Sequence, residues 1–485
     1  MYRPHTLYSD LGDVEIIQHD GLLHLFHLVI PNRDVIAHAV SEDGLQWREL
    51  PPAITTSAPG APDDDMIRTV SVTPHDGRFY MMYSGCSRKD GGTIERVCIA
   101  VSDDLYNWEK IPNASGIEAY PAIYEGEDLS NNGVNWRDPK PFYEDGVYYC
   151  VICARRKEGP LLRKGCVALM VSRDMIHWDY EEPIFLPGAY YTVECPQLYR
   201  IGKLYYLIGS IMEDSSQRYW VADNIKGPYR VASGENLLFP PKSHYAGRLC
   251  RFQGKDVFLC WTFATEDGPS PFGLRVNKNA PIRYIPALLE VMADDEGRLS
   301  LKSCQSWGNY EDQKYAISIE SLHKTACDNP YAVSEDQSFI SESGMEMWLS
   351  EDQYSCFKLD MNMTVGGYCG GIVFHVNDDT AAYQIEFYPH QQLARLVIHN
   401  KKIRSDNVEW FDYRVLQTTH CVSENQQIRV GLLAVGGEIE VSLNGCVKFS
   451  TVSTSLQKGH IGVFSNCGSV IVSRLSLTGM RMPNH

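Results

Sequence analysis

Three acids in this chain, Asp13, Asp138 and Glu194, stand at one phase of a repeated pattern. Each lies eight residues before the glycine of a turn that opens an aromatic-rich stretch, at Gly21, Gly146 and Gly202. Two more such glycines, Gly77 and Gly254, put Thr69 and Ala246 at the same phase. The acids are far apart in sequence, and their flanks are apolar or rigid: Gly12-Asp13-Val14, Arg137-Asp138-Pro139 and Val193-Glu194-Cys195-Pro196. A carboxylate in such surroundings costs desolvation unless it is used or paired. Clustered carboxylates suit glycoside hydrolysis, where one stays protonated to donate to the leaving oxygen and another is ionised to attack or to activate water. Like charges at close quarters push their pKa values apart, which serves that division of labour. Arg137 is placed to hold Asp138 ionised or to bind substrate oxygens. Three carboxylates also suit a divalent cation, but the chain has no local Asp-x-Asp-x-Asn-Gly type of loop. No metal and no organic cofactor is expected. Asp63-Asp64-Asp65 reads as a solvated charge run.

The elements that must position these acids are strands. Long helical periodicity is scarce, and short runs of Val, Ile, Tyr, Phe and Trp alternate with Gly, Pro, Asn and Asp turns. The five turn glycines recur at spacings of 56, 69, 56 and 52 residues. A strand-turn-Trp unit follows three of them, ending at Trp47, Trp108 and Trp178, with a weaker fourth copy from Trp220 to Tyr229. Each period has room for four short strands, the size of a propeller blade. The expectation is an all-β chain with a five-bladed β-propeller over residues 1–315. In that architecture the innermost strands ring a central channel, so acids of equal phase converge at one mouth. The repeated tryptophans are expected to pack between blades, because three equivalent rings would hardly share one ligand. Residues 316–335 read as a linker, with a short helix over Tyr315–Thr325. Residues 336–485 read as a C-terminal β-sandwich, with Asn444-Gly445 as a hairpin turn.

Composition narrows the partners. The 485 residues carry a net charge of −17, which opposes nucleic acid or an anionic membrane surface as the main partner. No run is long and apolar enough for a membrane span, and Met1-Tyr2-Arg3-Pro4-His5 does not open a signal peptide. Fifteen scattered cysteines read as buried free thiols in a reducing cytoplasm. Cys150 and Cys153 face opposite sides of a strand, so a shared metal is not expected. The same holds for His24 and His27.

These residues carry a resemblance. The chain resembles glycoside hydrolase family 32, the invertase, levanase and inulinase family, whose members join a five-bladed propeller to a β-sandwich. Arg137-Asp138-Pro139 matches the motif holding that family's transition-state stabiliser, and Glu194-Cys195 matches the one holding its acid/base. His24-Leu25-Phe26, His38-Ala39-Val40-Ser41, Tyr83-Ser84-Gly85 and Tyr245-Ala246 are weaker matches in the same order. The family's Trp-Met-Asn-Asp-Pro-Asn-Gly motif is replaced by Leu11-Gly12-Asp13-Val14-Glu15-Ile16, where only the acid survives. Its Phe-Ser-Gly-Ser segment is replaced by Ile67-Arg68-Thr69-Val70, and its Trp-Gly-His-Ala by Val35-Ile36-Ala37-His38-Ala39.

The resemblance implies a retaining enzyme with Asp13 as nucleophile, Glu194 as acid/base and Asp138 as stabiliser. It would release a terminal furanosyl unit, β-D-fructofuranosyl above all, from a small oligosaccharide or sugar phosphate in the cytoplasm. Arg137, Arg68, Thr69, His27 and Tyr245 are the expected substrate contacts. Arg68 is placed either to meet a phosphate or carboxylate on the sugar or to pair with the nearby Asp run. Two rival readings remain at this point. One is an inverting family 43-like arabinofuranosidase or xylosidase. The other is a carbohydrate-binding protein that kept the fold and lost turnover.

Overall fold

The computed structural model describes residues 1–4, 10–126, 133–232, 234, 236–263, 283–325, 329–378, 381–403, 409–421 and 424–483. The first half is a five-bladed propeller whose blades follow one another along the chain. Their innermost strands are Asp10–His19, Met66–His75, Trp136–Glu144, Glu194–Ile201 and His244–Phe252. Among the described residues blades 1, 2 and 3 are four-stranded antiparallel sheets, blade 4 has three strands, and in blade 5 an extra short strand, Arg283–Tyr284, pairs with the second. The hairpin after four of the inner strands turns through a residue and a glycine that are both left-handed: Asp20-Gly21, Asp76-Gly77, Asp145-Gly146 and Gln253-Gly254. Such turns match the twist of the flanking strands, and the glycine meets their positive φ without strain.

The strand-turn-Trp units close in one way in three blades. Ser41, Ser102 and Ser172 each accept a backbone N–H three residues on, and Asp43, Asp104 and Asp174 each accept two backbone N–H groups of the same turn. Trp47, Trp108 and Trp178 then pack into the clusters between blades. Trp108 of blade 2 meets Phe26 of blade 1 edge-on, with ring centroids 5.9 Å apart. The fourth copy lacks the Ser-x-Asp pair, and its strand ends at Ala222.

The second half is a β-sandwich built on two long bent strands, Phe357–Val376 and His460–Met480, which pair with each other along their length. The first part of Phe357–Val376 pairs with Gln427–Val435, and its last part with Ala382–Tyr388, so the sheet divides into two layers. Trp348, Phe357, Phe374, Tyr383, Ile385 and Phe387 fill the space between them. Asn444-Gly445 forms the expected hairpin turn, both residues left-handed. The expected helix over Tyr315–Thr325 is not formed. Glu311–Tyr315 and His323–Lys324 are strands of the second sheet, and only Ile319–Ser321 makes a single 3-10 turn. Tyr315, Ile317 and Ile319 pack on the sandwich core at every second position, the period of an extended chain.

Candidate active site

Each of the five inner strands carries a register shift, and each shift falls at the phase picked out above. The breaks lie between Leu11 and Val14, Arg68 and Val70, opposite Val151 to Cys153 (at Asp138-Pro139), between Glu194 and Gln197, and between Tyr245 and Arg248. A β-bulge adds a residue to one strand and re-aims a side chain. Asp138, Cys195 and Ala246 are left-handed there, an unusual conformation for residues with a Cβ. These five bulges turn the side chains of the inner strands into one cavity of about 870 Å³, lined by Asp13, Thr69, Asp138, Glu194 and Tyr245 among others.

The acids differ in their surroundings. Asp13 is half-buried, and its Oδ2 accepts from the Thr69 hydroxyl while the Trp261 indole N–H lies 3.4 Å from Oδ1. Asp138 is 2% exposed. Its backbone N–H donates to Ser84 Oγ at 3.0 Å, and its Oδ2 accepts from the Cys195 N–H at 2.8 Å. Its Oδ1 has no donor among the described residues. Burial pushes its carboxyl up to about 6; Arg137 opposes that rise, while the charges of Asp13 and Glu194 add to it. Glu194 shares its two oxygens between Arg137 Nη2 at 2.5 Å and the Tyr245 hydroxyl. Burial, and then the Glu194 charge, push the Tyr245 phenol far up, so it stays a donor.

Arg137 ties the site to a wider ion network. Its Nη1 also reaches Glu95 Oε2 at 3.1 Å and Asn135 Oδ1, and Glu95 Oε1 takes Arg68 Nη1 at 2.8 Å. Charges therefore alternate along Arg68, Glu95, Arg137 and Glu194. Below the cavity Glu15, 1% exposed, binds Lys140 at 2.5 Å and Arg248 at 3.2 Å. Arg248 Nη1 donates to the Cys195 carbonyl at 2.6 Å, which fixes the bulge beside Glu194. Atoms of Asp13, Asp138 and Cys195 lie within 4.8 Å of one another, close enough to share a cation. Burial, and then the charges of Asp13 and Asp138, push the Cys195 thiol well up.

Of the expected site residues, Asp13, Asp138, Glu194, Arg137, Arg68, Thr69 and Tyr245 line this cavity. His27 does not. Leu28 and Ile30 face the cavity, so His27, one residue before Leu28, points to the other side of its strand. There it is fully buried against Tyr2, whose hydroxyl lies 3.2 Å from Nε2. Arg68 pairs with Glu95 and not with the Asp run. That run is not a solvated face either. Asp63 is buried and binds Lys110 and Tyr83, and buried Asp64 accepts backbone N–H groups of Gly60 and Arg88. Arg33, Glu95, Asn135, Tyr191, Trp261 and Arg283 also line the cavity. None of them stands at the repeated phase or in one of the motifs that pointed to the site.

Residues 14–236 match the model of the glycosyl hydrolases family 32 N-terminal domain. The match takes in Asp138 and Glu194 and begins one residue after Asp13. Family 32 is what this part of the chain resembles. It is 28% identical over 144 residues to the sucrose-6-phosphate hydrolase of Bacillus subtilis (strain 168), covering 30% of this chain and 26% of that protein. It is 30% identical over 181 residues to the raffinose invertase of Escherichia coli, covering 36% of this chain and 34% of that protein. The aligned stretches thus span about a quarter to a third of these relatives' length. Similarity of fold reaches further. The fructan 1-exohydrolase IIa of Cichorium intybus superposes with a TM-score of 0.71 at 15% identity, over 100% of this chain and 97% of that one. The sucrose-6-phosphate hydrolase of Lactobacillus gasseri gives 0.66 at 18% identity, over 99% and 94%. This chain therefore shares both parts of its architecture, propeller and sandwich, with those structures.

Proposed function

We propose that this protein is a retaining glycoside hydrolase that releases a terminal β-D-fructofuranosyl unit from a small oligosaccharide or sugar phosphate. The observation that carries the reading is the convergence of Asp13, Asp138 and Glu194 in one cavity, with Arg137 joined to Glu194. Glu194 gives a proton to the glycosidic oxygen as the bond to the anomeric carbon breaks. The Asp13 carboxylate attacks that carbon from the opposite face and forms a covalent glycosyl-enzyme. Water then attacks, Glu194 takes its proton, and Asp13 leaves. Glu194 can give its proton only when its ion pair with Arg137 loosens, and the sugar's hydroxyls are the natural replacement ligands for that guanidinium. Asp138, once ionised, faces the positive charge that develops on the ring in both steps.

Catalysis is assigned to the propeller, and the sandwich to its support. A cytoplasmic location belongs to the same reading, supported by many buried cysteines with no disulfide among the described residues. Among those residues no helix is long and apolar enough to cross a membrane.

The test is release of reducing sugar from sucrose, sucrose 6-phosphate, kestose, inulobiose, levanbiose and arabinofuranosyl aryl glycosides, run beside Asp13→Asn and Glu194→Gln. Fructose release that both variants abolish is the expected result. Activity confined to the arabinofuranosides would move the substrate class, and a first product of inverted configuration would remove Asp13 as nucleophile. Binding of these sugars without turnover in the unaltered protein would leave a carbohydrate-binding protein.

A further inference from the structure

The wall of the cavity formed by blades 1 and 2 holds two guanidiniums, Arg33 and Arg68, and two carboxylates, Asp13 and Glu95, and of these only Arg68 and Glu95 touch as an ion pair. Arg33 lines the cavity, half-buried. Among the described residues no carboxylate lies within ion-pair distance of its guanidinium. The loop that carries it is nonetheless fixed. The Arg33 N–H donates to the Val29 carbonyl at 2.9 Å, its carbonyl accepts from the Ile67 N–H at 2.8 Å, and its backbone is left-handed at φ 57°. That second bond joins the loop to blade 2, one residue before Arg68. Arg68 has a single carboxylate partner, Glu95, and Glu95 is shared with Arg137. One carboxylate thus serves two guanidiniums by contact, while a third stands by. Arg33 and Arg68 line one cavity from a loop and a strand bonded to each other, and burial, then the charge of Arg68, pull the Arg33 guanidinium down. Asp13 attracts Arg33 at longer range, but its own oxygens are occupied by Thr69 and Trp261.

Holding two guanidiniums together costs free energy unless an anion joins them, and their planar forks fit a phosphate or a carboxylate. The position of the pair says which part of a substrate would bear that anion. In a retaining reaction the residues around the nucleophile touch the sugar being transferred, and those around the acid touch the leaving group. The Arg33 loop is bonded to Val29, whose strand partner is Leu11, two residues from Asp13, whereas Glu194 stands on the inner strand of blade 4. We infer that Arg33 and Arg68 bind a phosphate or carboxylate carried by the furanosyl residue that is transferred. This rests on the hydrolase reading for the choice of sugar, and it makes the enzyme selective for an anionic glycosyl unit over a neutral one.

The experiment measures binding and turnover separately. Calorimetry on the unaltered protein, Arg33→Gln and Arg33→Lys uses fructose, fructose 6-phosphate and fructuronate as probes. At least one anionic probe is expected to bind roughly tenfold or more tightly than fructose, with most of that preference lost in Arg33→Gln and part recovered in Arg33→Lys. Whichever anion is preferred identifies phosphate or carboxylate as the group read. Equal binding of all three probes, or a loss in Arg33→Gln that is the same for fructose as for the anions, overturns the inference. Turnover compares sucrose phosphorylated at C6 of its fructosyl unit with sucrose phosphorylated at C6 of its glucosyl unit. A higher kcat/KM for the first, with the ratio collapsing in Arg33→Gln, is expected, and preference for the second would overturn the placement on the transferred sugar. Selective binding of an anionic probe without hydrolysis of any substrate would leave this inference standing and remove the hydrolase reading. Hydrolysis of neutral sucrose with no anion preference would do the reverse.

Discussion

Asp138 shows most sharply how one residue is held in a state that costs stability, a state to which the proposed reaction gives a use. Its carboxyl is almost wholly buried, and one of its oxygens lacks a donor among the described residues. Burial, with Asp13 and Glu194 nearby, lifts it from 3.8 to about 6. The folded protein therefore keeps this proton over a range where the unfolded chain has lost it. That contribution to stability is fully present below about pH 4 and is lost as pH rises through about 6. Asp138→Asn removes the buried charge. It is expected to unfold at higher denaturant than the parent protein at pH 7.5, by roughly 1–3 kcal/mol, with the gap closing near pH 4. In the proposed reaction the same substitution removes the charge that faces the reacting ring, so turnover should fall roughly 10²- to 10³-fold. Denaturant unfolding at the two pH values checks the first part, and a gap of equal size at both would show that the charge is not its cause. Under the proposed reaction the acid limb of kcat/KM of the parent protein should rise with an apparent pKa near 6, and a limb that stays flat down to pH 4.5 would remove Asp138 as the titrating group.

At the scale of elements, the site is made by five bulged inner strands and by the charges that pin them. Glu15 is the pin beneath the acids, since it joins its own strand in blade 1 to Lys140 of blade 3 and Arg248 of blade 5. Glu15→Gln would leave two buried cations facing an amide, a change expected to cost roughly 3–5 kcal/mol. Because Arg248 also holds the Cys195 carbonyl, the variant should lower kcat even at temperatures where it is fully folded. Circular dichroism melts beside activity measured well below the melting point separate the two effects, and an unchanged kcat in the folded variant would show that the pin does not position Glu194. The strand pattern and the acids were legible because blades repeat, so residues with one role recur at one distance from a turn. What the sequence concealed has local physical causes. Glu95 and Arg33 come from a third strand and a connecting loop, where no repeat marks a position. His27 was misplaced because a strand's alternation fixes which side a residue faces only once the neighbour facing the cavity is known. Asp63 and Asp64 looked like surface charge, yet they satisfy a lysine and backbone N–H groups that only the folded loop brings to them.

At the scale of the whole molecule, the propeller and the sandwich are joined through buried polar groups as well as apolar ones. Leu433, Val435 and Met480 of the sandwich pack in one cluster with Trp307 and Ala287. Beside them Glu438 accepts the Ala287 N–H at 2.5 Å and lies 3.0 Å from the Met1 amino group, while Glu440 accepts from the Ser303 hydroxyl. Burial, and then the charge of Glu438, push the Glu440 carboxyl from 4.5 up to about 8, so folding takes up a proton between those values. Stability is therefore expected to be highest near pH 5 and to decline as pH rises through about 8, by roughly 2–4 kcal/mol from this group. Glu440→Gln carries a permanent neutral side chain of nearly the same shape. It should match the parent near pH 5, exceed it at pH 8, and flatten the profile between. Urea unfolding of both proteins at pH 5.5 and 8.5, followed by tryptophan fluorescence, checks this, with Trp307 reporting from the interface itself. If the parent shows no decline, or the variant declines in parallel, Glu440 shares its charge state with the unfolded chain and the union of the two halves is insensitive to pH. If the decline is confined to the parent, alkaline pH loosens the joint between propeller and sandwich before it disturbs the blades. Loss of activity above pH 8 would then follow from the parting of the two halves rather than from titration of the acids in the cavity.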